Sequence, residues 1–127
     1  MTTEHTTDTR TVTDWVDGYR RAWESNDPRD IGALFTDDAT YRDHPSQVDA
    51  PAGRDAIVAS WLASKDEPGD TTFAYEVAGL SGDRAFVQAV TDYVKAGDVY
   101  DNLWVIDFAP DGRANAFTEW YMKRKAD

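Results

Sequence analysis

The chain has 127 residues, a net charge of −11 from 24 acidic and 13 basic side chains, and no cysteine. This length predicts a single domain, and a hydrophobic content of 41 % is sufficient for a folded core. The negative charge argues against a nucleic-acid partner, and the lack of cysteine excludes disulfides, thiol nucleophiles and cysteine-ligated metals. We expect the protein in the cytoplasm, whose reducing conditions suit this composition.

The beginning of the chain predicts neither a leader nor an anchor. Residues 1–11 are polar and are expected to form a disordered tail, before a single domain over residues 12–127. They lack the apolar centre of a secretory signal. Because no apolar run approaches the roughly 18 residues of a membrane-spanning helix, we expect no membrane partner.

Helical periodicity begins at Val12 and continues to about residue 26. Within it, Trp15, Tyr19 and Trp23 recur every four positions and therefore form one aromatic stripe on a helix. Such a stripe is typical of a surface that faces the core. Tyr19 could equally belong to a binding site.

The segment before Pro45 carries the strongest signal for a site. It predicts a short helix over 28–35, capped by an aspartate, and then a strand over 39–43. Tyr41 and Asp43 are two residues apart, so their side chains share one face of that strand. If this face is buried, the pKa of Asp43 rises and suits a general acid or base. Otherwise Asp43 only ends the strand.

The second half of the chain predicts a β-meander. A helix over 54–64 precedes it, and from residue 71 the hydrophobic period changes to two. Glycine-containing turns separate four expected strands, over 71–80, 84–95, 99–109 and 113–123. This order predicts an α+β fold, in which three N-terminal helices wrap a cone-shaped, curved antiparallel sheet and enclose a pocket.

Several segments resemble the SnoaL-like and ketosteroid-isomerase-like families of the nuclear transport factor 2-like superfamily. They are Leu34 to Pro45, Gly53-Arg54-Asp55-Ala56-Ile57, Trp104 to Phe108, Asp111-Gly112-Arg113 and Glu119-Trp120-Tyr121. The resemblance covers residues 12–123. It implies the fold more specifically than the activity, because the superfamily contains isomerases, cyclases, dehydratases, epoxide hydrolases and non-catalytic binding proteins. It also implies a homodimer, since the open face of such a sheet often packs on a second copy.

The resemblance to ketosteroid isomerase implies roles for particular residues. Asp43 matches the aspartate that acts as general base, and Tyr19 matches the tyrosine that donates a hydrogen bond to the substrate oxygen. The second donor in that enzyme is a neutral aspartic acid. Trp104 occupies its position here and either donates through its indole N–H or narrows the pocket. This departure argues against classical steroid isomerisation.

The resemblance and strand alternation together imply which meander side chains point into the pocket. The expected inward residues are Gln88, Val90, Asp92, Asn102, Trp104, Phe117, Glu119 and Tyr121. Trp61 is expected to pack against the sheet or to form part of the pocket wall. His44 either assists Asp43 or lies on a surface turn. Three carboxylates in one cavity would require at least one raised pKa.

The expected activity is proton transfer on a hydrophobic, oxygenated small molecule. Asp43 would abstract a proton next to a carbonyl, Tyr19 would stabilise the enolate oxygen, and Asp92 or Glu119 would return the proton. Opening of an epoxide by activated water is a second chemistry for the same groups. A non-catalytic binding domain and a dimeric interaction domain are the alternatives to an enzyme.

No cofactor or metal is expected. The two histidines, His5 and His44, are far apart in the sequence and do not form a pair at metal-ligand spacing. The sequence also has no glycine-rich phosphate loop.

Overall fold

The computed structural model describes residues 6–63 and 71–124. Its helices are α1 (Thr9–Ser25), α2 (Pro28–Gly32) and α3 (Arg54–Ala63), and its strands are β1 (Phe35–Arg42), β2 (Thr71–Ser81), β3 (Arg84–Tyr93), β4 (Asp98–Phe108) and β5 (Ala114–Lys123). Within these ranges no helix has the length and apolar character needed to cross a membrane.

The five strands form one sheet in the order β1-β5-β4-β3-β2. The predicted α+β fold, with helices on a curved sheet, is confirmed. The four meander strands pair antiparallel as predicted, whereas β1 runs parallel to β5, with Tyr41 opposite Phe117. These two strands are far apart in the chain, so no hairpin turn forces them into opposite directions.

Helix α1 begins earlier than the sequence predicts. Asp8 caps it, since its side chain accepts a hydrogen bond of 2.8 Å from the backbone N–H of Thr11. One residue before the cap, the N–H of Thr7 donates to the carbonyl oxygen of Gly82 at 2.9 Å. The predicted tail boundary at residue 11 is therefore wrong for the part that is described, while residues 1–5 lie outside it.

The segment between α1 and α3 differs from prediction at its boundaries. Asp27 caps α2 as predicted, accepting from the N–H of Arg29 at 2.9 Å, but α2 ends at Gly32. Strand β1 then starts at Phe35, which is fully buried, and ends at Arg42. Asp43 consequently follows the strand instead of lying in it. The predicted end of α3 at residue 64, and the break at 68–70, lie outside the described residues.

The four meander strands lie within two residues of their predicted bounds. Two irregularities in strand register bend the sheet, one between Val77 and Gly79 and the other between Asp107 and Phe108. The resulting concave face carries the helices and the core.

The inward face of β3 is opposite to the predicted one. Ala85, Val87, Ala89 and Thr91 are buried under the helices, whereas Gln88, Val90 and Asp92 lie on the outer face. The prediction of these three residues as inward is wrong by one position. Since apolar residues occupy both alternating sets of this strand, hydrophobic alternation cannot determine which set faces the core.

Trp15 anchors helix α1 to the concave face of the sheet. Its side chain is 4 % exposed, and its indole N–H donates to the carbonyl oxygen of Leu34 at 2.9 Å. Its ring stacks on Phe117 at 5.8 Å and meets Phe35 and Phe108 edge-on, both at 6.1 Å. The predicted core-facing role of the aromatic stripe is confirmed at this position.

We expect Trp15→Ala to lower the free energy of unfolding by about 3–5 kcal/mol, because it leaves a large cavity among buried rings. Urea unfolding followed by circular dichroism measures this loss. Trp23→Ala is the matched control, since Trp23 lies on the same helix but is only partly buried. An equal loss from both substitutions would contradict the anchoring role of Trp15.

Candidate active site

A cavity of about 540 Å³ opens on the concave side of the sheet, a volume suited to a small organic ligand. Helices α1 and α3, the loop after β1, the β3–β4 hairpin and the end of β5 surround it. The lining residues are Tyr19, Trp23, Tyr41, Asp43, Gln47, Pro51, Ile57, Ser60, Trp61, Tyr93, Ala96, Asp98, Tyr100, Asn102, Glu119 and Tyr121.

Two tyrosines form the polar part of the cavity interior. Tyr19 and Tyr41 lie close enough that each affects the pKa of the other. Burial is the main reason that the pKa of each lies well above its usual value, and the nearby Glu119 carboxylate raises both further. Both hydroxyls are protonated at neutral pH, as in an ordinary tyrosine, and can donate hydrogen bonds to a ligand.

Glu119 is the carboxyl group of the cavity interior. Burial raises its pKa from 4.5 to about 7. The side chains of Asn102 and Trp104 act in the opposite direction by stabilising the charged form, and the charge of Asp43 adds to the increase. At neutral pH the group is therefore divided between its acid and base forms, which is the condition that general acid–base catalysis favours.

A chain of hydrogen bonds across strands β3, β4 and β5 holds the carboxyl group of Glu119 in position. The hydroxyl of Thr91 donates to Asn102 Oδ1 at 2.7 Å, and Asn102 Nδ2 donates to Glu119 Oε1 at 2.6 Å. The first bond fixes the orientation of the amide, so that its NH₂ group faces the carboxylate. Glu119 Oε2 is buried and has no hydrogen-bond partner in the described part of the chain. A molecule bound in the cavity can supply that missing donor.

Asp43 lies at the mouth of the cavity. Its side chain is 64 % exposed, so of the two alternatives for this carboxylate the buried one does not hold. The cause is local, since Asp43 falls in a turn after β1, where its backbone N–H donates to Gln47 Oε1 at 3.0 Å. Its carboxylate contacts the Nδ1 atom of His44 at 2.6 Å. His44 is itself exposed and does not line the cavity.

The structure brings together seven of the predicted site residues, which are Tyr19, Tyr41, Asp43, Trp61, Asn102, Glu119 and Tyr121. Trp104 and Phe117 point inward as predicted, but they are buried beneath Tyr19, with ring separations of 5.1 and 6.1 Å. Gln88 and Asp92 are on the outer face, so Asp92 does not join Asp43 and Glu119 at the cavity. The roles assigned to the seven residues stay predictions.

Sequence reasoning missed most of the β3–β4 hairpin, which contributes Tyr93, Asp98 and Tyr100 to the cavity. The ring of Tyr100 meets two other lining tyrosines edge-on, with ring centroids 5.4 Å apart for Tyr93 and 5.9 Å apart for Tyr121. Asp98 is paired with Lys123 at 3.2 Å. The correct phase of β3 would have identified Tyr93, because it lies two residues after the inward Thr91.

The raised pKa of Glu119 predicts a pH-dependent stability. Below about pH 4.5 both folded and unfolded states hold the proton, so the group adds no penalty. Between about pH 4.5 and 7 only the unfolded state releases the proton. The free energy of unfolding therefore falls by up to about 3 kcal/mol over this range. Glu119→Gln should therefore gain stability relative to the unsubstituted protein as pH rises, measured by urea unfolding. A difference that does not change with pH would contradict this.

The comparisons with known proteins agree on the fold. Among solved structures, an NTF2-like protein of unknown function from Mesorhizobium loti has 19 % identity and a TM-score of 0.68, covering 95 % of this chain and 99 % of that one. SalBIII, an epoxide hydrolase/cyclase-like enzyme with a role in pyran ring formation in the polyether salinomycin, has 18 % identity and a TM-score of 0.67, covering 91 % and 93 %. A ketosteroid isomerase-like protein from Erwinia carotovora atroseptica has 19 % identity and a TM-score of 0.61, covering 89 % and 95 %.

At these identities the structural likeness establishes the fold alone. No curated protein matches the sequence. The sequence model of the SnoaL-like domain, however, matches residues 16–121, which run from within α1 almost to the end of β5. The chain therefore belongs to the SnoaL-like family.

Proposed function

We propose that this protein is a cofactor-independent enzyme of the isomerase or cyclase type, which transfers protons on a hydrophobic, oxygenated small molecule. The observation that supports the proposal most is the largely buried Glu119, with a pKa of about 7, beside two protonated tyrosine hydroxyls. Acid–base catalysis at neutral pH requires such a group within a pocket that shields the reaction from water. The cavity has the size and the aromatic walls that an organic substrate needs.

Each group has a defined part in the proposed reaction. The carboxylate of Glu119 removes a proton from the carbon next to a carbonyl group, and the electron pair of the broken C–H bond becomes the enolate. Tyr19 or Tyr41 donates a hydrogen bond to the enolate oxygen, where the negative charge develops. Protonated Glu119 then returns the proton to another carbon, which completes an isomerisation without an external reagent.

Glu119 thus takes the role of base that the resemblance assigned to Asp43. Burial distinguishes the two carboxyl groups, because Glu119 is shielded from solvent whereas Asp43 is largely exposed at the mouth. Asp43 still acts on the site, since its charge raises the pKa of Glu119. It also remains the competing candidate for the base, and the experiment below separates the two.

Exchange of α-protons in D₂O, followed by NMR over a panel of cyclic ketones and enones, tests the proposal. We expect Glu119→Gln to slow exchange by about 100-fold or more, because it removes the base. The rate should rise with pH and level off above about pH 7, as Glu119 loses its proton. Asp92→Asn is the control, since it removes a carboxylate from the outer face.

Two results would contradict the proposed role of Glu119. If Asp43→Asn abolishes exchange while Glu119→Gln does not, then Asp43 is the base. If none of the panel exchanges but its members bind in the cavity, the chain is a binding module instead of an enzyme.

We also propose that the protein forms a homodimer through the outer face of the sheet. Leu103 and Trp120 are cross-strand partners there, with 37 % and 52 % of their surfaces exposed, and Met122 is 71 % exposed. Large apolar side chains grouped on one face are typical of a surface that another protein covers.

Light scattering after size exclusion should give a dimer mass, and Trp120→Glu should give a monomer, because it places a charge in the contact. Val48→Glu is the control, since it adds the same charge at a fully exposed loop position. A monomeric unsubstituted protein would contradict the proposed dimer.

A further inference from the structure

The charges that line the cavity have one sign. Asp43, Asp98 and Glu119 contribute carboxyl groups, and no Lys, Arg or His is among the described lining residues. The two carboxylates near solvent have cationic or ionisable neighbours outside the lining, since Asp43 contacts His44 and Asp98 contacts Lys123. Glu119 has no such neighbour in the described part of the chain, although it is the most deeply placed of the three.

Glu119 also has an unfilled hydrogen-bonding position. Oε1 accepts from Asn102, whereas Oε2 is buried and lacks a donor among the described residues. A buried acceptor without a partner is costly, and the cost is greater when the group is charged. A ligand that brings both a donor and a positive charge would remove this cost more fully than a neutral ligand.

The walls of the cavity favour the same kind of ligand. Seven aromatic side chains line it, namely Tyr19, Trp23, Tyr41, Trp61, Tyr93, Tyr100 and Tyr121. The face of an aromatic ring carries negative potential and attracts ammonium groups. An anionic ligand would meet these ring faces together with three carboxyl groups and, within the described lining, no cation.

We propose that the cavity selects a substrate that carries a protonated amine, and that Glu119 and the surrounding tyrosine and tryptophan rings hold the ammonium group. This inference rests on the proposed function and specifies its substrate as an oxygenated compound with a basic nitrogen. An ammonium group near Glu119 favours the ionised carboxylate, and so increases the fraction of the base form that proton abstraction requires.

The preference for an amine should depend on pH through Glu119. Seven other titratable groups surround this carboxyl group. They are Tyr19 on α1, Tyr41 on β1, Asp43 just after β1, Tyr93 on β3, Asp98 and Tyr100 on β4, and Tyr121 on β5. Burial and the Glu119 charge keep Tyr19 and Tyr41 protonated at neutral pH. Among the described residues that line the cavity, Glu119, with a pKa of about 7, is therefore the group whose charge changes near neutral pH.

Calorimetry with three matched probes tests the inference, using 2-(2-naphthyl)ethylamine, 2-(2-naphthyl)ethanol and 2-naphthylacetate. At about pH 8 we expect the amine to bind roughly tenfold more tightly than the alcohol, and the acetate to bind most weakly. The advantage of the amine should decrease at about pH 6, where Glu119 is mostly protonated.

In Glu119→Gln the affinities for the amine and the alcohol should differ by no more than about twofold, because the substitution removes the charge but keeps the shape of the side chain. Asp92→Asn is the matched control because it removes one charge from the outer face of the same sheet, and it should keep the amine preference. The inference is overturned if the alcohol or the acetate binds as tightly as the amine, or if Glu119→Gln retains the preference.

The outcomes separate this inference from the proposed function. Tight binding of the alcohol without an amine preference would overturn the charge selection and leave proton transfer on a neutral substrate intact. An amine preference that depends on Glu119, together with no Glu119-dependent proton exchange, would support the cation site and reject the catalytic role.

Discussion

The packing of helix α1 across the concave face of the sheet is the constraint on which the site depends. Trp15 fixes the helix by contacts with three buried phenylalanine rings and by its hydrogen bond to Leu34. One helical turn later, Tyr19 stacks on Trp15 at 5.5 Å and contacts Trp104. The same aromatic stripe therefore forms the core at one end and the cavity wall at the other. A change in the anchor would displace the hydroxyl that faces Glu119.

Burial without a compensating cation gives Glu119 its chemistry. A guanidinium or ammonium partner supplied by the fold itself would lower the pKa of this carboxyl group and hold it in its charged form before any substrate binds. The structure instead supplies Asn102, a neutral donor that is itself fixed by Thr91. This burial lowers the stability of the fold progressively between about pH 4.5 and 7, and the result is a group that can both take up and release a proton near neutral pH.

The sequence was sufficient to predict the elements and insufficient to predict the buried acid. The four meander strands could be bounded because glycine-containing turns separate them, and Asp27 was recognisable as a cap. The inward face of β3 could not be predicted, since both of its faces carry apolar residues. The exposure of Asp43 depends on where β1 ends, and strand ends depend on tertiary pairing.

Glu119 illustrates that the sequence can predict that a residue belongs to a site without predicting which role it has there. Alternation along β5 placed it correctly inward, as one of several acids. Its neighbours on β4 determine its properties, because Trp104 is its cross-strand partner and Asn102 its hydrogen-bond donor. Such contacts between strands follow from register, which the resemblance and the alternation only implied.

The proposed chemistry depends on Glu119 being a buried acid that titrates near neutral pH. Carbon-13 NMR of the glutamate side-chain carboxyl groups, with the resonance assigned by its loss in Glu119→Gln, measures this directly. We predict a midpoint of about 7 for this resonance. A midpoint close to the ordinary value of 4.5 would show that the group is solvated and would contradict the proposed chemistry.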